Sequence, residues 1–336
     1  MTSLKHAGAD AWLEEVIGAG HNVSQLRTGF IAESVTNFFD KNLRDVKSTR
    51  ENLSGISQPA DCWEDSFPDE IGGVPYRTYP TPARGPNTKA SYRIYLPPDY
   101  DTAKDRRYPV IYWLHGANGD SRQAIAHGYI GRLDAAIRSG AAPPLIVVMT
   151  NVPNLSSYVD SKDGKIPVET VLIKNLIPYI DANYRTIAAR QGRAIDGQSM
   201  GGAGALRLGF KYPELFAAVS ATAPGLPDLN RLDSLTPERL RTMYGGDVEY
   251  FKSTAAQTIV KQNADKIRGR TNIRLIVGDK DALMPRVEEF HELLTKLNIQ
   301  HDFYISKGSI HNLREELSRC DANPFEVYAR AFASYK

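Results

Sequence analysis

The sequence predicts an α/β fold, with a mainly parallel central sheet and helices on both faces. Three observations carry this expectation. Short strand-like runs alternate with stretches of helical periodicity from residue 73 onward, as they do in a sheet crossed by helices. The run at 110–114, Val-Ile-Tyr-Trp-Leu, lacks the polar alternation of a half-exposed strand, so both of its faces should be covered. A chain of 336 residues, 42% apolar and 24% charged, is long enough to bury one large core, with or without an appendage.

The opening residues differ in character. Asp10 can cap a short helix in which Trp12, Leu13, Val16 and Ile17 share a side. Ser24 can cap a longer one, where Phe30, Ile31, Val35, Phe38, Phe39, Leu43 and Val46 recur at helical spacing. A polar stretch follows at 47–57. Residues 1–57 are therefore predicted to form a helical arm, and 58–336 the main domain. The arm's apolar face must bury on the body of the same chain or on a second copy. A homodimer contact is favoured, because the remainder already has the elements of a complete domain.

In the main domain, 74–79 and 90–96 flank a loop rich in Pro, Gly and Asn and should pair as antiparallel strands. The buried strand at 110–114 follows, then a helix at 122–138 and a strand at 145–149. Residues 169–184 are helical, with a kink expected at Pro178, whose nitrogen cannot donate. A strand at 193–196, a helical stretch at 206–212 and a strand at 216–220 come next. Strands at 273–277 and 303–305 are separated by a helix at 286–297 with Pro285 at its start, and a helix at 325–335 completes the pattern. Residues 224–270 form a largely helical insertion without a strand pattern.

The 41 basic and 39 acidic residues leave a formal charge of +2, which offers no electrostatic footprint for nucleic acid or an anionic membrane. No stretch approaches the roughly 20 apolar residues of a membrane span, and residues 1–11 lack the hydrophobic core of a signal peptide. Cys62 and Cys320 are too few for a disulfide framework and are expected to be thiols of a cytoplasmic protein. His291-Glu292 begins a zincin-like helix motif, but Thr295 stands where its second histidine belongs. There is no dinucleotide-binding glycine motif after a strand and no P-loop lysine, so no metal or organic cofactor is expected.

The most informative segment is Gly197-Gln198-Ser199-Met200-Gly201, between the strand at 193–196 and a helix opened by Gly202, Ala203, Gly204 and Ala205. A G-x-S-x-G in that position is the nucleophile elbow of an α/β-hydrolase fold. Its glycines are needed because side chains on so sharp a turn would strike the crossing helix and strand. A serine at its free pKa is a weak nucleophile and needs a base, itself oriented by an acid. In this fold the acid and then the histidine follow the serine in the chain. Three of the seven histidines do so. His291 falls inside a helix and His301 opens a strand, whereas His311 lies in a loop after the last strand, where the base should stand.

Two aspartates, Asp279 and Asp281, share the loop after the strand at 273–277, and either could face the histidine. The oxyanion hole needs two backbone N–H donors. One should be Met200, directly after the nucleophile. The other should come from the loop His115-Gly116-Ala117-Asn118-Gly119, whose glycines permit close approach. His115 precedes the serine and ends a strand, so a structural role is expected for it.

These residues sit among others that resemble the esterase family holding feruloyl and acetylxylan esterases, S-formylglutathione hydrolase (esterase D), siderophore esterases and mycolyltransferases. The similarity runs from about Tyr92 onward. It includes Tyr95-Leu96-Pro97-Pro98, Trp113-Leu114-His115-Gly116, Leu176-Ile177-Pro178-Tyr179-Ile180, Lys211-Tyr212-Pro213 and the loop from Gly278. The resemblance implies Ser199 as nucleophile, His311 as base and Asp281 as acid, since the family's acid falls fourth in a Gly-x-x-Asp loop. It implies Ala117, after the His-Gly pair, as the second oxyanion donor. Two departures stand out. Ser309-Ile310 replaces the glycines that often precede the base, and the charged Asp196 replaces a small apolar residue, so it needs a partner or solvent.

The expected activity is a serine carboxylic ester hydrolase working through an acyl-enzyme on a small-molecule ester or thioester, with the insertion forming part of the pocket roof. Two alternatives remain: an acyltransferase using the same acyl-enzyme, as in the mycolyltransferase relatives, and a non-catalytic binding protein on a hydrolase fold.

Overall fold

The computed structural model of the chain describes residues 63–65, 69–154, 156–232 and 235–333. The arm predicted for 1–57 and Cys62 lie outside them. Eight strands form one sheet: β1 (Tyr76–Pro80), β2 (Lys89–Tyr95), β3 (Val110–Leu114), β4 (Ile146–Thr150), β5 (Arg193–Gly197), β6 (Ala218–Thr222), β7 (Asn272–Gly278) and β8 (Asp302–Ser306). Their order is β1-β2-β4-β3-β5-β6-β7-β8. β1 and β2 pair antiparallel, as does β2 with β4, and every later pair is parallel.

β3 is buried along its whole length, and its side chains divide between the two faces. Tyr112 and Leu114 join a core that includes Leu206, Phe210 and Val260. Ile111 and Trp113 join one with Leu133, Ile137 and Tyr328. A strand covered on both sides has no need of polar alternation, which explains its unbroken apolar run. Between β4, β3 and β5 the strand order reverses direction. At such a switch point the loops beyond the strands' carboxyl ends diverge and leave a crevice. The loop after β3 and the elbow after β5 flank that crevice.

Several elements differ from expectation in their limits. The single helix expected at 122–138 is two, Gln123–Ala126 and Tyr129–Arg138, interrupted by Gly128 at φ 77°. The run expected as one kinked helix at 169–184 opens with Val168–Thr170, widens into a π-helical stretch at Val171–Leu176 and resumes at Ile177–Asn183. Pro178 thus falls in the first turn of the resumed helix, where its missing N–H costs least. β6 begins two residues later than the strand expected at 216–220. The insertion supplies three helices, Pro237–Tyr244, Val248–Thr254 and Ala256–Ile267. A six-residue helix at Leu313–Ser318 was not anticipated.

Candidate active site

Ser199 stands between β5 and the helix Met200–Lys211 with φ 58° and ψ −118°, a conformation unfavourable for a residue with a Cβ. Two close approaches hold it there. A Cβ on Gly201 would come within 2.0 Å of the Leu114 carbonyl oxygen, and one on Gly197 within 2.4 Å of the Gly201 backbone. Ser199 occupies the N-cap position of the helix, yet its hydroxyl makes no capping bond. That leaves Oγ directed to His311, whose Nε2 lies 3.0 Å away.

The other imidazole nitrogen, Nδ1, is 2.7 Å from Asp281 Oδ2. The Asp281 side chain is fully buried, and its Oδ1 accepts the Leu283 N–H at 2.8 Å. Burial alone would raise the Asp281 pKa, but the hydrogen bond and charge of His311, with the Leu283 N–H, bring it below the ordinary carboxylate value. With a carboxylate at Nδ1, Nε2 is the nitrogen placed to accept a proton from Ser199. Asp279 plays the other part open to these two residues: its Oδ1 accepts the Gly308 N–H at 2.7 Å.

The candidate oxyanion donors, the Ala117 and Met200 amides, are arranged by what surrounds them. The Gly116 N–H is consumed by Gln123 Oε1 at 2.6 Å, so the next amide in the loop, that of Ala117, is the available one. Among the described residues, neither Ala117 N–H nor Met200 N–H has an intramolecular acceptor. His115 is structural: its ring is wholly buried and its Nδ1–H donates to the Gly116 carbonyl at 2.8 Å. Its Nε2 accepts from Val152 N–H at 3.4 Å, and desolvation lowers its pKa. His291 and His301 bond to each other at 2.7 Å at the far end of the sheet and take no part in the site.

Asp196 has the partners its charge requires. Tyr129 donates to it at 2.8 Å, Tyr328 at 2.5 Å and Ser220 at 2.7 Å, and Arg274 lies 3.4 Å away. The nucleophile strand is thereby tied to four other elements: two helices, β6 and β7. Ser309 is also buried, with its Oγ 2.8 Å from Ser306 Oγ, and Ile310 stands exposed beside the base. Residues 309 and 310 therefore differ: the first anchors the loop and the second faces solvent.

A cavity of about 90 Å³ lies between the helix that follows Ser199 and the insertion. Ala203 and Gly225, whose amides both donate to the Ser199 carbonyl, line one side, at 3.0 and 2.8 Å. The insertion lines the other with Arg239, Tyr244 and Phe251. Nothing in the sequence pointed to Arg239. Its Nε is buried without a hydrogen-bond partner.

The sequence pattern of the esterase family matches residues 84–313. This chain belongs to the esterase family. Esterase Rv1288 of Mycobacterium tuberculosis is 38% identical over 272 residues, covering 73% of this chain and 57% of that protein. The chain therefore spans a little over half the length of that curated relative. An endo-1,4-beta-xylanase/feruloyl esterase of Xylanibacter ruminicola is 37% identical over 133 residues, covering 37% of this chain and 18% of that one. Among solved structures, a ferulic acid esterase superposes with a TM-score of 0.65 at 24% identity, covering 78% of this chain and 98% of that one. The S-formylglutathione hydrolase FrmB of Staphylococcus aureus gives 0.59 at 17%, covering 77% and 96%. The family member thus has the α/β-hydrolase fold that its elbow implied, and no helix among the described residues is long and apolar enough to cross a membrane.

Proposed function

We propose that this esterase-family chain is a serine carboxylic ester hydrolase that works through an acyl-enzyme. The observation that carries the reading is the placement of His311 between Asp281, at 2.7 Å, and Ser199 Oγ, at 3.0 Å. Ser199 Oγ attacks the ester carbonyl as His311 Nε2 takes its proton. The carbonyl oxygen becomes an oxyanion facing the Met200 and Ala117 N–H groups. Collapse expels the alcohol or thiol, which recovers the proton from His311 and leaves the acyl group on Ser199. Water, activated by the same imidazole, then releases the acid and restores the serine.

The substrate is a small oxygen ester or thioester, the chemistry shared by the feruloyl esterases and S-formylglutathione hydrolases among the relatives. The near-neutral charge supports a small-molecule partner rather than nucleic acid, and the free thiol of Cys320 fits a reducing, cytoplasmic compartment. Arm 1–57 is proposed as a structural element that pairs two subunits.

Hydrolysis of p-nitrophenyl acetate by the purified chain and by its Ser199→Ala variant tests the reading. The variant should lose about 10⁶-fold in kcat while melting close to the parent. Activity of the variant above a few per cent, or an inactive parent, would overturn it.

A further inference from the structure

Beside the triad lies a second buried carboxyl group that the mechanism above does not use. Glu316, on the unanticipated helix Leu313–Ser318, is fully buried. One of its carboxyl oxygens, a carboxylate oxygen of Asp281 and a ring nitrogen of His311 all lie within 4.8 Å of one another. No donor group among the described residues hydrogen-bonds to either Glu316 oxygen, which leaves them open to a carboxyl–carboxylate contact with Asp281. Three such groups could suggest a metal site, but Asp281 and His311 are already committed to each other and to Ser199.

The placement of Glu316 is built in. The Asn312 side chain caps the helix through the Arg314 N–H at 3.0 Å and the Glu315 N–H at 3.3 Å, and Glu316 N–H donates to the Asn312 carbonyl at 2.9 Å. The helix cap thus follows His311 directly, and the helix turns the second of its two glutamates inward, against the loop that carries Asp281. The titratable groups that bear on it are Asp281 and His311 from the two loops and Glu315 on its own helix, itself paired with Arg319 at 3.0 Å. Among the described residues it forms no salt bridge; the Gly278 amide favours its ionised form, whereas burial and Asp281 disfavour it.

Two carboxylates this close in a sealed site cannot both be ionised. Asp281 is the one stabilised as an anion, by the Leu283 N–H and the imidazole. We propose that Glu316 is held as a neutral carboxylic acid and donates its proton in a hydrogen bond to Asp281, making it a positioning residue for the triad. Burial and the Asp281 charge push its pKa up to about 9, so the proton stays in place across the neutral range. The bond fixes the Asp281 carboxylate against rotation and spreads its charge without cancelling it. Asp281 then remains the single carboxylate of the pair, oriented toward the imidazole that takes the proton from Ser199.

The proposal rests on the ester-hydrolase reading only for its kinetic arm, and its second arm needs no turnover. Glu316→Gln keeps a donor at the same place, so kcat should stay within about threefold of the parent. Glu316→Leu removes the donor and should lower kcat about ten- to hundredfold with KM little changed. The reverse order, or equal damage by both, would overturn the proposal, as would a Leu variant as fast as the parent.

The thermal arm follows from the sign of the shift. A glutamate that ionises near its ordinary value when unfolded but stays protonated when folded loses stability as pH rises between about 4.5 and 9. Glu316→Gln escapes that loss. Its melting temperature relative to the parent should climb through this window and level off above it. A difference that does not change with pH would show Glu316 already ionised in the fold and would overturn the proposal, even if the Leu variant fails to fold.

Discussion

Asp281 and Asp279 stand on one loop, yet they face opposite partners: Asp281 Oδ2 reaches His311 Nδ1 at 2.7 Å, and Asp279 Oδ1 receives the Gly308 N–H at 2.7 Å. The backbone decides the division. The loop turns on Gly278, where a Cβ would come within 2.1 Å of the Ser309 carbonyl oxygen, so the acid's loop and the base's loop touch directly. Asp281→Asn should lower kcat/KM by roughly 10⁴-fold, because the amide can favour the wrong imidazole tautomer. Asp279→Asn should keep most activity and lose modest stability. Steady-state kinetics of both variants checks this, and exchanged behaviour would refute the assignment.

The charge cluster under the elbow should be a stability element. Arg274 and Asp196 are both sealed from solvent, 3.4 Å apart, so each depends on the other. Asp196→Leu strands the guanidinium and should cost about 3–5 kcal/mol. Tyr328→Phe removes only one donor and should cost about 1.5–3 kcal/mol. Urea denaturation measures both, and a loss below about 1 kcal/mol for Asp196→Leu would mean that Arg274 finds other partners.

Arg239 should influence which esters are preferred. It lines the cavity between the helix after Ser199 and the insertion and forms no ion pair among the described residues, so a negatively charged acyl tail reaching that cavity would find a partner there. Arg239→Met should reduce kcat/KM for p-nitrophenyl hemiglutarate about five- to tenfold relative to p-nitrophenyl butyrate, the exposed part of the side chain limiting the effect. An unchanged ratio would place the acyl group elsewhere.

Deleting residues 1–57 should lower solubility or change oligomeric state while activity on p-nitrophenyl acetate survives. The reason is the arm's apolar periodicity, in which each Phe left in water would forgo about 1.5–3 kcal/mol. Light scattering of full-length and truncated chains decides the matter. Two equally soluble monomers of equal stability would contradict the pairing.

The sheet and the triad were legible in the sequence because both leave local marks. β3 is an uninterrupted apolar run, and the elbow needs glycines at fixed offsets from Ser199. Asp281 was not separable from Asp279 by residue type alone, since the choice depends on how their loop meets Ser309. The Asp196 cluster joins residues as distant as Tyr129 and Tyr328, a pairing that only the folded chain creates. The helix Leu313–Ser318 is too short for periodicity to reveal, and the cavity partner Arg239 resembles any surface arginine of a helix's first turn.

The same cluster has a consequence for how the protein is made. Ser199 leaves the ribosome well before Tyr328, and the strand that bears it carries a buried negative charge whose shortest bond is to that late tyrosine. His311 also arrives late. A nascent chain would therefore hold an elbow that is neither electrostatically settled nor supplied with a base, and would display no ester-cleaving power. Reactivity would switch on only after the helix Glu326–Ala331 has been made and Tyr328 has reached the strand that bears the nucleophile.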